Sequence, residues 1–174
     1  MNHLTLDSLF SIAPYDWYSV LTAMICGTMI GLERQLRGKP IGIRTATLIT
    51  LGTYVFLASS LLLISDTMDP SRVIGQVITG IGFLGAGVMM SKDGMVIGVT
   101  SAATIWMLAA IGVVISLGYQ LQAIKFSLIT LSVLYGIDLL EENTITFSRG
   151  VHARYISRSS RPKETEEREE DNTR

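Results

Sequence analysis

Two carboxylates and a cluster of cations are the residues of this 174-residue chain with the most chemical potential. Glu33 and Asp138 each lie near the end of a long apolar run, where an ionised carboxylate needs a partner. Arg34, Arg37, Lys39 and Arg44 follow Glu33 closely, and Thr45 opens the next apolar run. The expected chemistry is an ion pair from Glu33 to Arg44 or Arg34 that ties one apolar segment to the next. Such a pair matters only where it is dehydrated. Enzyme chemistry has no comparable residue set. There is no Cys/His cluster, no HExxH and no phosphate loop, and His3 and His152 are too far apart along the predicted membrane topology to share a site. Neither a cofactor, nor a metal, nor a nucleic-acid partner is expected, and the chain is read as a non-enzyme.

The elements that position these groups are set by hydropathy. Residues of apolar type make up 48% of the chain and concentrate between Trp17 and Leu140, so the lipid bilayer is the expected solvent. The reading is an all-α fold, a polytopic bundle of about five transmembrane helices at 17–32, 45–65, 73–90, 97–117 and 121–140. A periplasmic or interfacial segment, 1–16, precedes the bundle, and no cleaved signal peptide is expected there. Leu4 to Ile12 suits a short interfacial helix stopped by Pro14, and Tyr15, Trp17 and Tyr18 suit an aromatic belt. A charged tail, 141–174, follows and is expected to be largely disordered and cytoplasmic.

Small residues recur through the spans. Gly27 and Gly31 form a GxxxG pair in the first, read as intramolecular packing with homodimerisation as the alternative. Gly80, Gly82 and Gly85 match GxGxxG, but the strand, soluble helix and acidic residue of a dinucleotide site are missing. At 100° per residue, Gly75, Gly82 and Gly85 share one face while Gly80 and Gly87 share another, which predicts a helix packed between neighbours. A broken helix lining a polar cavity is the alternative. A tight loop, Ser91 to Gly94, leads to the fourth span, where Gly98, Ser101, Ala102, Ala103, Ala109, Ala110 and Gly112 are small. Trp106 near its middle is expected to fill a gap between helices, with Thr104 as one partner for the indole N–H. Cys26, the single cysteine, is expected to behave as a small buried hydrophobe.

Basic residues orient the bundle. With five spans, twelve of them (Arg34, Arg37, Lys39, Arg44, Lys92 and seven from Arg149 to Arg174) fall on one side, and Arg72 falls on the other. Lys125 lies near the outer end of the last span and can snorkel outward. The N-terminus is therefore expected outside and the C-terminus inside.

The strings GLERQLRGKPIGIRT, DPSR, GIGFLGAGVM and GVTSAATIWMLAAIG, in that order, resemble the MgtC/SapB family of bacterial inner-membrane proteins over about residues 17 to 140. The resemblance carries over onto Gly31, Glu33, Arg34, Gln35, Arg37, Lys39, Gly42, Arg44 and Thr45, and onto Asp69, Pro70 and Arg72. In the later blocks it covers Gly80, Gly82, Phe83, Leu84, Gly85, Gly87, Gly98, Thr100, Ala102, Ala103 and Trp106. It implies about five membrane helices and, from the virulence members, a role in growth at low magnesium and survival in macrophages, with the F-type ATP synthase as a partner. Ala46 stands where family members commonly have His, and the soluble C-terminal domain of the virulence members is replaced by the charged tail.

Two function classes follow. One is a regulator that binds another membrane complex through small-residue helix faces. The other is a transporter or channel for a small cation or proton, with Glu33, Asp138, Thr100 and Ser101 lining the path.

Overall fold

The computed structural model describes residues 10–63, 70–92 and 95–143, and within them the chain is mostly helical. Five helices follow in order: α1 (Trp17–Leu36), α2 (Ile43–Leu62), α3 (Pro70–Val88), α4 (Val99–Ser116) and α5 (Gln120–Asn143). Three of them, at Ile43–Leu62, Ser71–Val88 and Val99–Ser116, are long and apolar enough to cross a membrane. Between α3 and α4 the expected loop is instead an antiparallel hairpin of β1 (Met90–Lys92) and β2 (Met95–Ile97), with Met90 opposite Ile97 and Lys92 opposite Met95.

Local sequence explains where the helices stop and start. The Asp16 carboxylate accepts the Ser19 N–H at 2.7 Å and caps α1. At the other end, Gly38 adopts φ +61°, Lys39 N–H donates to the Arg34 carbonyl and Gly38 N–H to that of Gln35, a Schellman stop. The same pattern ends α4 at Gly118, whose φ is +84°. Because α1 runs four residues past the expected limit of Leu32, the Glu33–Leu36 stretch is helical rather than part of the connector.

α2 and α4 form the centre: α4 packs on α1, α2 and α3, and α2 packs on α1 and, more lightly, on α3. Close approach requires glycine at several of these contacts. A Cβ on Gly27 would lie 2.6 Å from the Thr47 Cα, one on Gly31 2.6 Å from the Ile43 Cα, and one on Gly112 2.7 Å from the Thr50 carbonyl. Around them Cys26, Ile30, Thr50, Ile105, Leu108, Ile111 and Ile115 are wholly buried. Hydroxyls in this interior mostly bond their own helix: Thr22 to the Tyr18 carbonyl, Thr50 to Ala46, Thr104 to Thr100 and Ser127 to Ala123. The Thr28 and Thr47 hydroxyls meet across α1 and α2 at 3.2 Å.

The chain divides after Ser132 into two compact units, so the bundle is described through Ser132 and the rest of α5 belongs to the second unit. The expectations for the segments at 1–9, 64–69 and 144–174, including the tail, lie outside the described residues.

Candidate functional site

Two places draw attention, and both sit on segments singled out by the sequence. The first is the end of the bundle where α1 finishes. There Arg37 Nε lies 2.8 Å from Glu33 Oε1, an i,i+4 pair, and Arg34 Nε lies 3.7 Å from Glu33 Oε2. The Glu33 side chain is 10% exposed and that of Arg34 is 3% exposed, so the group is largely withdrawn from solvent. Both Glu33 oxygens and Arg34 Nε are buried without a hydrogen bond. A buried pair with that geometry recovers little of its desolvation cost.

The expected linkage from Glu33 to Arg44 is not formed. Arg44 is exposed in the first turn of α2, and Glu33 pairs only within its own helix among the described residues. The physical reason is the extension of α1: helical geometry places Arg37 one turn from Glu33, where it is reached at no cost in chain entropy. The linkage between the two helices comes from Gly27 and Gly31, whose face is filled by α2, and from Gln35. Its Oε1 accepts the Ile43 N–H at 3.3 Å and stands 2.8 Å from where a Gly42 Cβ would be. Gln35 thus supplies the cap that Gly42, with no side chain, does not. The capping signal was hidden in sequence because donor and acceptor lie eight residues apart on different helices.

Lys39 and Thr45 are exposed beside this cluster. Ala46 is wholly buried, its Cβ 2.9 Å from where a Gly31 Cβ would lie, so the α1–α2 contact fits a residue no larger than alanine there. Asp138 lies on α5 in the second unit, and its side chain falls outside the described residues. Thr100 is exposed and Ser101 buried, so the two hydroxyl residues do not present one common face.

The second place is α3. It is continuous from Pro70 to Val88, so the broken-helix alternative does not apply. It packs on α4 and more lightly on α2, but not through both of its glycine faces. Only Gly85 meets another element, with a Cβ there 3.7 Å from the Ala102 Cβ, whereas Gly75, Gly80, Gly82 and Gly87 would meet nothing within 4 Å. Gly85 allows contact with α4, Ile81 is buried, and the surface carrying Gly75, Gly80 and Gly82 is left exposed. Arg72, Gly75, Gln76, Thr79 and Gly80 line one open groove on that surface. The Thr79 hydroxyl returns to the Gly75 carbonyl at 2.9 Å, and the Arg72 and Gln76 side chains meet no hydrogen-bond partner among the described residues. Phe83 is 82% exposed.

Trp106 also departs from expectation. It is 55% exposed on the outer side of α4 and fills no gap, and the Thr104 hydroxyl is spent on its own helix. Periodicity explains this: Ser101, Thr104, Ile105, Leu108 and Gly112 take the inward face and leave Trp106 outside. Gly98 connects the two regions, with φ +91° and a Cβ position that overlaps the Val88 carbonyl, so the hairpin can join α4 only through glycine.

Comparison with known proteins agrees with these motifs. The family model described as the MgtC family matches residues 20–143. The chain is 43% identical over 122 residues to YhiD of Escherichia coli (strain K12), named as a candidate magnesium transporter, covering 66% of this chain and 56% of that one. It is 38% identical over 150 residues to Protein MgtC of Salmonella typhi, covering 85% and 64%. An uncharacterized protein of Haemophilus influenzae is 39% identical over 131 residues, covering 70% and 55%. The chain thus matches less than two thirds of the length of each of these relatives. No solved structure matches it. With motifs, family model and relatives in agreement, and with three helices long and apolar enough to cross a bilayer, this chain is a membrane protein belonging to the MgtC family.

Proposed function

We propose that the protein is a non-enzymatic regulator in the bacterial inner membrane, multi-pass with its N-terminus outside, that docks on another membrane complex through α3. The observation that carries this reading is the groove of Arg72, Gly75, Gln76, Thr79 and Gly80. An amide and a guanidinium turned away from their own bundle are costly in lipid and are satisfied by a neighbouring helix, and glycines beside them let that helix come close. The relatives named for MgtC and for magnesium transport support a task in magnesium homeostasis. The resemblance puts the F-type ATP synthase first among partners to test, with a second copy of this chain next.

A transporter is the second reading, favoured by the Glu33 carboxylate, which is largely buried and faces Arg34 and Arg37 as ion pairs without a hydrogen bond. Against it stands the interior, where most hydroxyls named above are spent on their own helix carbonyls. Purified protein in liposomes separates the two. The regulator reading expects no magnesium or proton flux above empty vesicles; flux that is abolished by Glu33→Gln would overturn it.

A further inference from the structure

We propose that the junction of α1 and α2 binds the phosphate of an anionic phospholipid. The inference is independent of docking through α3, because it concerns different helices. Its starting point is the first turn of α2. No acidic residue lies there, Gly42 offers no side-chain cap, and the one side-chain acceptor present, Gln35 Oε1, takes the Ile43 N–H. The N–H groups of Arg44 and Thr45 therefore point from the positive end of a 20-residue helix with no acceptor among the described residues.

A second, separate observation points to an anion. Arg34 is 2% exposed, its Nε has no hydrogen bond, and its nearest carboxylate oxygen is 3.7 Å away. It lies about one turn past Gly31, on the side of α1 that packs on Ile43. A buried guanidinium N–H without an acceptor is costly, and an oxyanion entering between the helix ends would supply one. Lys39 and Arg44 are exposed on either side of the junction and add two positive charges.

Lipid fits better than free phosphate because of what surrounds the cations. Leu36 is 78% exposed and Leu48 is 68% exposed, placing apolar side chains on both helices next to the charged junction. A dissolved anion has no use for them, whereas a phospholipid brings a phosphate and acyl chains together. Zwitterionic lipids carry their own cation into the same basic field, so a net negative headgroup is preferred.

Native mass spectrometry of the full chain, released from vesicles of equal phosphatidylglycerol and phosphatidylcholine, tests the site. The wild type is expected to retain phosphatidylglycerol selectively, and the Lys39→Gln/Arg44→Gln variant to retain it roughly thirtyfold less, as two lost basic contacts of about 1 kcal/mol each at a lipid surface imply. Both side chains are exposed, and an unchanged helical spectrum confirms that the variant folds. Lys125→Gln, which removes an exposed cation on another helix, is expected to retain lipid like the wild type. Equal retention by the double variant, equal loss in Lys125→Gln, or displacement of the lipid by millimolar inorganic phosphate would each overturn the proposal.

Discussion

α3 and α4 are built from similar material and end up in different roles. Both are apolar, both carry several small residues, and they are joined by a short hairpin. In α4 the small residues are used within the fold: Gly112 lets α2 approach until a Cβ would overlap Thr50 and Thr53, and Ser101 and Thr104 are buried. In α3 only Gly85 is used that way, and the other glycines face open space alongside Arg72 and Gln76. Small residues by themselves therefore do not mark an interface with a partner. What distinguishes α3 is that its small residues share an outward groove with the Arg72 and Gln76 side chains, which have no partner among the described residues.

The largest effect that sharpens this contrast is at the α4 and α1 contacts. Gly112→Leu or Gly31→Leu drives a branched side chain into backbone 2.7 or 2.6 Å from its Cβ, and overpacking of that kind costs about 3 kcal/mol or more. Detergent-solubilised protein should lose its monodisperse peak in size-exclusion chromatography. Gly80→Leu, with nothing within 4 Å, should leave that peak unchanged.

Next in size is the buried cluster at the end of α1. Glu33→Gln leaves Arg34 buried and poorly compensated, at a cost of about 3 kcal/mol. Replacing both, Glu33→Gln/Arg34→Met, should recover most of that loss in a thermal melt, because a well-packed apolar side chain needs no counter-charge. Failure of the double variant to recover would show that Arg34 holds the fold through contacts other than Glu33.

Smaller still is Gln35→Leu, which removes the acceptor for the Ile43 N–H and should lower stability by about 1 kcal/mol, the usual worth of a helix cap. The smallest is Gly80→Ala, which should raise the melting temperature slightly, since alanine in an open helix position gains up to about 1 kcal/mol over glycine. A fall in stability would mean that α3 has a neighbour at Gly80 in the folded protein.

Much of this arrangement was legible in the residues. Runs of apolar type located the five helices named above to within a few residues, and the spacing of Gly27 and Gly31 foretold a close contact. What periodicity could not reveal is which neighbour each face receives. Gly80 and Gly82 read like packing glycines yet pack on nothing, and Trp106 reads like a gap filler yet faces outward. Likewise the sequence placed Glu33 among four cations with Arg44 or Arg34 as partner; Arg34 is within ion-pair distance, while the closer pairing with Arg37 was decided by how far α1 continues before Gly38 stops it.

The most direct test compares two exposed phenylalanines. Phe83 on α3 and Phe56 on α2 are 82% and 71% exposed, and only the first belongs to the helix with the polar groove. A photo-crosslinking residue at each position, activated in native membranes, should give a discrete protein adduct at 83 and only lipid adducts at 56, the adduct's mass distinguishing a second copy from another protein. Lipid adducts alone at both positions would contradict docking through α3.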